Sequence, residues 1–259
     1  MSLLSSFDPP GGGLNAIGFH AGVIYAHVSN TTTLQRYNAD GTSFGADLAW
    51  VPGGGNDSDI DFSITPLEIG GILVPAGTML VTQGEPSTQT LYAVDAGTGS
   101  ILASQDLAEP IGQLTGGAID PFSGMLYTID WTNDVIRVFD PSTGVAGVSF
   151  GFGGNFDAFY SDVEISASTG ELFLVSSSQN VIRVLSASGE FLRDINVDDL
   201  GISGMSGIAF DDRTGDAWIS STNGSIYRVG GLTAGVPAPA SAALLGLGSL
   251  MVTSRRRSR

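Results

Sequence analysis

Short apolar runs alternate along this chain with clusters of Asp, Pro, Ser, Thr and Gly, the rhythm of strands joined by tight turns. The same unit recurs. TLQRYNADG (33–41), TLYAVDAGTG (90–99), VIRVFDPSTG (135–144), VIRVLSASG (181–189) and SIYRVGG (225–231) each end in a strand and a turn. Aligned on Tyr37, Val94, Phe139, Leu185 and Val229, they are spaced by 57, 45, 46 and 44 residues. A second column lies upstream, clearest in IDPFSGMLYTID (119–130), ISASTGELFLVS (165–176) and FDDRTGDAWISS (210–221), with GFHAGVIYAHVS (18–29) and ILVPAGTMLVTQ (72–83) as looser copies. Each copy places a large residue on its second strand: Tyr25, Leu80, Tyr127, Phe173 or Trp218.

A period near 45 residues with several strands per unit predicts an all-β fold, a β-propeller of five blades with four strands each. One such sheet cannot bury both its faces, so neighbouring blades must cover each other, and the column of large side chains is expected to fill the space between them. The fifth unit supplies only GIAF, AWISS and SIYRV, and Leu3 to Phe7 is available to complete that blade by pairing with it, which removes free sheet edges. The longer first spacing is expected to come from loop insertions at VPGGGNDSD (51–59) and LEIGGILVPAG (67–77). The propeller is expected over residues 1–231, followed by a linker at 232–235 and a tail at 236–259 containing a short apolar helix.

Composition narrows the chemistry. The 37 glycines and a charged fraction of only 14% argue against helical bundles. All 26 acidic residues precede Val236 together with six arginines, the remaining four arginines lie in the tail, and lysine is absent. Nucleic-acid affinity depends on Lys and Arg displacing counterions, so no nucleic-acid partner is expected of so acidic a body. The lack of cysteine excludes disulfides and thiolate chemistry. No GxSxG elbow, HExxH, phosphate loop or strand–GxGxxG–helix pattern is present, so an enzymatic role is not expected. The repeated arginines Arg36, Arg137, Arg183 and Arg228 are expected to pair with carboxylates on strand faces.

Carboxylates are the remaining candidates. NDSDIDFSITPLE (56–68) matches the oxygen positions of an EF-hand loop, but Phe62 occupies the position that needs glycine for the sharp turn. Alignment of the first strand of each unit is sharper: AIGF (16–19), DIDF (59–62), GGAI (116–119), DVEI (162–165) and GIAF (207–210). The first and third positions share a face, and there two non-adjacent blades carry Asp59 with Asp61 and Asp162 with Glu164, where the other three carry Ala or Gly. The innermost strands of a propeller line its channel, so these four side chains are a candidate site for a hard cation such as Ca²⁺. His20 and His27 are expected on strand faces of the first blade.

Through turns such as DPFSG, DPSTG and DDRTG the body resembles NHL/gluconolactonase-like and quinoprotein-like propellers. The first of these implies a channel metal serving lactone hydrolysis, and hence a metal-dependent lactonase-like hydrolase as the alternative function. The tail carries a more specific likeness. VPAPAS (Val236, Pro237, Ala238, Pro239, Ala240, Ser241), the apolar stretch that follows and the arginines Arg255, Arg256, Arg257 and Arg259 resemble the PEP-CTERM sorting signal, with Ala238 where that family usually has Glu. That resemblance implies recognition by exosortase machinery and export to the cell envelope, surface or extracellular matrix, with transient anchoring in the inner membrane and the arginines on its cytoplasmic side. The N-terminal MSLLSSFDPPGGG has neither the basic region nor the apolar stretch of a secretory signal. Taken together, the residues point to an exported binding or scaffold module whose partners include extracellular polysaccharide or protein.

Overall fold

The computed structural model describes residues 1–50, 58–84, 89–108 and 112–233. The sorting residues 236–241, the arginines at 255–257 and 259, and the apolar helix expected of the tail lie outside the described residues. No helix among the described residues is long and apolar enough to cross a membrane.

Five antiparallel sheets of four strands form the ring. From the axis outward, blade 1 comprises Leu14–His20, Val23–Val28, Thr33–Asn38 and Leu48–Ala49, and blade 2 comprises Ser58–Phe62, Met79–Gln83, Thr90–Val94 and Ile101–Asp106. Blade 3 comprises Leu114–Ile119, Leu126–Asp130, Val135–Phe139 and Ala146–Gly151, and blade 4 Ser161–Ile165, Leu172–Ser176, Val181–Leu185 and Phe191–Asn196. Blade 5 takes Met205–Asp211, Asp216–Ser221 and Ile226–Gly230 from the end of the repeat and its outermost strand, Ser2–Phe7, from the start of the chain. Ser2 stands opposite Gly230 and Phe7 opposite Ile226. The stretch at 67–77, expected as a loop, contains a small hairpin, Leu67–Ile69 with Ile72–Val74.

The turns have a shared physical cause. In DAGTG, DPFSG, DPSTG and DDRTG the leading aspartate accepts the backbone N–H two residues on (Gly97, Phe122, Ser142 and Arg213) at 2.8–3.2 Å. The closing glycine donates its N–H back to that aspartate's carbonyl, as from Gly124 to Asp120 at 2.8 Å, and Gly124 reaches this position at φ +73°, a region that favours glycine.

The core is divided among five seams between adjacent blades. The large-residue column follows this division: Tyr25 packs between blades 1 and 2, Leu80 between 2 and 3, Tyr127 between 3 and 4, Phe173 between 4 and 5, and Trp218 between 5 and 1. Leu232, placed in the linker by the sequence, is buried in the seam between blades 4 and 5. Of the repeated arginines, Arg137 pairs with Asp130 at 2.9 Å, Arg183 with Asp194 at 2.9 Å and Arg228 with Asp216 at 2.7 Å. Arg36 departs from that pattern. It donates to the Ala46 carbonyl at 3.1 Å and lies over the Phe44 ring.

Removal of residues 1–7 would leave Ile226–Gly230 as an unpaired edge. With each lost ladder bond worth about 1 kcal/mol net, a loss on the order of several kcal/mol is expected in urea unfolding. Size-exclusion chromatography of the truncated chain should show concentration-dependent association through that edge.

Candidate functional site

The five innermost strands meet around the axis, and the aligned positions on them carry either small residues or carboxylates. A side chain at Gly18 of blade 1 would put its Cβ 2.6 Å from Ile60 Cγ2 of blade 2. At Gly116 of blade 3, a Cβ would lie 2.7 Å from the Asp162 Cα of blade 4, and the φ of +66° further favours glycine. Neighbouring blades leave no room for a side chain at these two positions. At the seams that follow blades 2 and 4, carboxylates reach across to the next blade.

Asp59 accepts the Gly117 N–H at 3.0 Å and Asp61 accepts the Ile119 N–H at 2.7 Å, tying blade 2 to blade 3. Asp162 accepts the Ile208 N–H at 2.8 Å, tying blade 4 to blade 5 at the register equivalent to Asp59. Asp61 and Asp162 also accept the N–H of the residue that follows each. Glu164, a methylene longer than Asp61, accepts no hydrogen bond from any described residue. Asp59 and Asp162 are 2% and 1% exposed and lie deep in the channel, whereas Asp61 and Glu164 reach a cavity at one mouth. Because residues 58–62 form a strand, Asp59 and Asp61 belong to a sheet and not to an EF-hand loop.

Burial governs the protonation of all four groups. It pushes Asp61 up to about 7, against the pull of the Ile119 and Phe62 N–H groups, and Asp162 likewise up to about 7, against the Ile208 N–H. Asp59 stands well above the ordinary carboxylate range through burial and then the neighbouring charge of Asp162. Its Oδ1 is buried without a hydrogen-bond donor, and the Asp162 carboxyl is its charged neighbour. Glu164 is raised well above its usual value by burial and then by Asp61, Asp162, Asp212 and Asp59.

The cavity has a volume of about 290 Å³ and opens where the inner strands end in turns. Its walls are apolar, with Phe19, Phe62, Ile64, Ile119, Ile165 and Phe210, and its acidic side is made by Asp61, Glu164 and Asp212. Asp212, not singled out in the sequence, is the second aspartate of DDRTG. Burial raises its pKa, and the Ala167 N–H opposes that rise. The first aspartate, Asp211, holds Arg213 through two hydrogen bonds of 3.0 and 3.2 Å. His20 lines the rim, stacked on Phe62 at 4.9 Å, and burial lowers its basicity. His27 lies away from the cavity, stacked on Trp50 at 4.1 Å and donating from Nε2 to the Thr31 carbonyl.

The opposite mouth is closed by residues that the sequence reading passed over. Asn15, Ser58, Thr115, Ser161 and Ser206 occupy one register, the position just ahead of the acidic or small column in each blade. Thr115 and Ser161 hydrogen-bond across blades 3 and 4 at 2.9 Å, and Ser206 donates to the Leu14 carbonyl of blade 1 at 2.8 Å. The space among them is about 10 Å³, roughly one water. The signal was a polar residue recurring at a fixed offset in all five units.

A calcium ion takes about six to eight oxygen ligands. Among the described residues no three His, Cys, Asp or Glu side chains stand together in an arrangement that can hold a metal ion. Asp59, Asp61 and Asp162 already spend oxygens on backbone N–H groups.

Raised carboxyl values make stability depend on pH in a stated direction. Asp61 and Asp162 are protonated in the folded state and ionised in the unfolded state between about pH 4 and about pH 7. Their contribution is therefore fully present below that window and lost as pH rises through it. Asp40, Asp95 and Asp140, lowered by hydrogen bonds from Thr42, Thr98 and Ser142, act oppositely and weaken the fold as pH falls below the ordinary carboxylate range. The melting temperature is expected to peak on the acid side of neutral. Asp162→Asn should be more stable than wild type at pH 8, by on the order of a few kcal/mol, with the difference vanishing near pH 4. A parallel pair of pH profiles by calorimetry would refute this.

No family model and no curated protein matches the chain. Among solved structures it is similar to the glutaminyl cyclase of Myxococcus xanthus, with 9% identity, a TM-score of 0.60, and 88% of this chain and 94% of that one covered. It is also similar to the WD40 β-propeller domain of Doa1, with 12% identity, a TM-score of 0.50, and 83% and 78% covered. At such identities the likeness shows the fold alone, a β-propeller.

Proposed function

We propose that this chain is a non-enzymatic binding module of the bacterial envelope, surface or extracellular matrix, and that the cavity at the channel mouth holds its ligand. The observation that carries the binding reading is a cavity of about 290 Å³ with aromatic and aliphatic walls and carboxyl groups on one side. Arg213, the one arginine lining it, is engaged by Asp211. Support for export comes from the order of parts in the tail: the Pro motif of residues 236–241, the apolar segment and the terminal arginines. In this reading exosortase machinery recognises the motif, the apolar segment enters the inner membrane transiently, and extracellular polysaccharide or protein is the partner.

What favours the alternative, a metal-dependent lactonase-like hydrolase, is the convergence of carboxylates from two blades on one channel. The engagement of their oxygens by backbone N–H groups weighs against it.

Full-length protein is expected to bind the producing organism's extracellular material saturably in sedimentation assays. Ala167→Trp, which fills the cavity, should weaken that binding by about tenfold, the loss of ~1.4 kcal/mol. Unsaturable binding, or binding indifferent to this substitution, would sink the reading. Calcium is expected to shift the melting temperature of wild type and of the Asp59→Asn/Glu164→Gln double variant alike. Turnover of a lactone and ester panel with added divalent metal, abolished by the same substitutions, would replace the binding module with a hydrolase.

A further inference from the structure

The cavity's two kinds of surface define the ligand more narrowly, and this step rests on the binding-module reading. Three phenylalanines and three isoleucines line one part of it, and four carboxyl groups another, of which Asp211 is paired with Arg213. No Ser, Thr, Asn, Gln, Tyr or Trp lines it among the described residues, so the hydroxyl groups of a neutral sugar would find few partners there. A chelated divalent ion is also poorly matched, given that no three acidic or imidazole side chains form a metal-holding group among those residues.

We propose that the cavity is a receptor site for a primary ammonium group carried on a small apolar body, with Glu164 taking the cation beside the acidic groups of Asp61 and Asp212, and Phe19, Phe62 and Phe210 enclosing the body. Three observations converge on that chemistry. Glu164 faces the cavity yet accepts no hydrogen bond from a described residue, which leaves its oxygens open to an N–H donor. The neighbouring basic groups do not compete, because Arg213 is held by Asp211 and His20 is stacked on Phe62 and kept neutral by burial. The aromatic walls favour a cation next to an apolar surface. A primary ammonium has three donors to offer, and a quaternary one has none.

A consequence follows from the protonation of the empty site. The ionisable groups facing the cavity or lying immediately behind it are Asp61, Glu164, Asp211, Asp212, Arg213 and His20, with Asp59 and Asp162 deeper in the channel. Burial raises the carboxyl values of Asp61 and Glu164 and a cation beside them opposes that rise, so binding is accompanied by proton release and tightens as pH rises.

The test is calorimetric titration of the full chain with n-butylammonium chloride at pH 7, in two buffers of different ionisation heat. Saturable binding with net proton release is expected, and n-butanol and tetramethylammonium should each bind about tenfold or more weakly, the scale of charge-assisted hydrogen bonds. Glu164→Gln, nearly identical in shape, should cost a similar factor, and Asp212→Asn provides a second variant if the first does not fold. Equal affinity for butanol, an unaltered Glu164→Gln, or no saturable heat would each overturn the amine assignment. If the amine fails while Ala167→Trp still blocks binding to extracellular material, the ligand class is wrong and the binding module stands. If both fail, the cavity is not a receptor site.

Discussion

Everything in this fold depends on how five edge-on strands are brought together around one axis. A twisted strand carries backbone N–H groups that need acceptors wherever water is excluded. Where glycine removes the side chain, as at Gly18 and Gly116, neighbouring strands close until backbone meets backbone or side chain. At the seams that follow blades 2 and 4, an aspartate reaches across and accepts the N–H of the next blade, as Asp59, Asp61 and Asp162 do. The acids are thus first a solution to a packing problem. Their electrostatic strain is the cost of that solution, and it is relieved by holding protons.

That dual role explains why the site is polarised along the channel. Asp59 and Asp162 are sealed between hydroxyl-bearing residues on one side and the second acidic layer on the other, so they join blades and do little else. Asp61 and Glu164 lie one strand pleat further along, where the walls part into the cavity. Glu164 is the position at which the joining function lapses: the equivalent of Asp61, lengthened by one methylene, no longer accepts the neighbouring N–H.

Much of the ring was legible in the sequence because its determinants are periodic. Tyr25, Leu80, Tyr127, Phe173 and Trp218 share a column since each faces the following blade, and the acidic and small positions share another since all line the axis. The missing strand of blade 5 was legible from a count of the last unit. What escaped notice was either unremarkable locally or decided by neighbours. Asn15, Ser58, Thr115, Ser161 and Ser206 look like ordinary polar strand starts until the five are set in one register. Asp212 was hidden in a turn where Asp211 already accounts for an aspartate. Whether a channel carboxylate meets an N–H or a cavity depends on its neighbours across a seam, which leave no mark on periodicity.

The last described residues add an orientation. Leu232 is buried between blades 4 and 5, and the Thr233 hydroxyl donates to the Gly215 carbonyl, at the end of the turn whose Asp212 and Arg213 border the cavity. Thr233 thus stands on the cavity side of the ring, not the side lined by Asn15, Ser58, Thr115, Ser161 and Ser206, and a pull applied at that residue tips the open mouth toward its source.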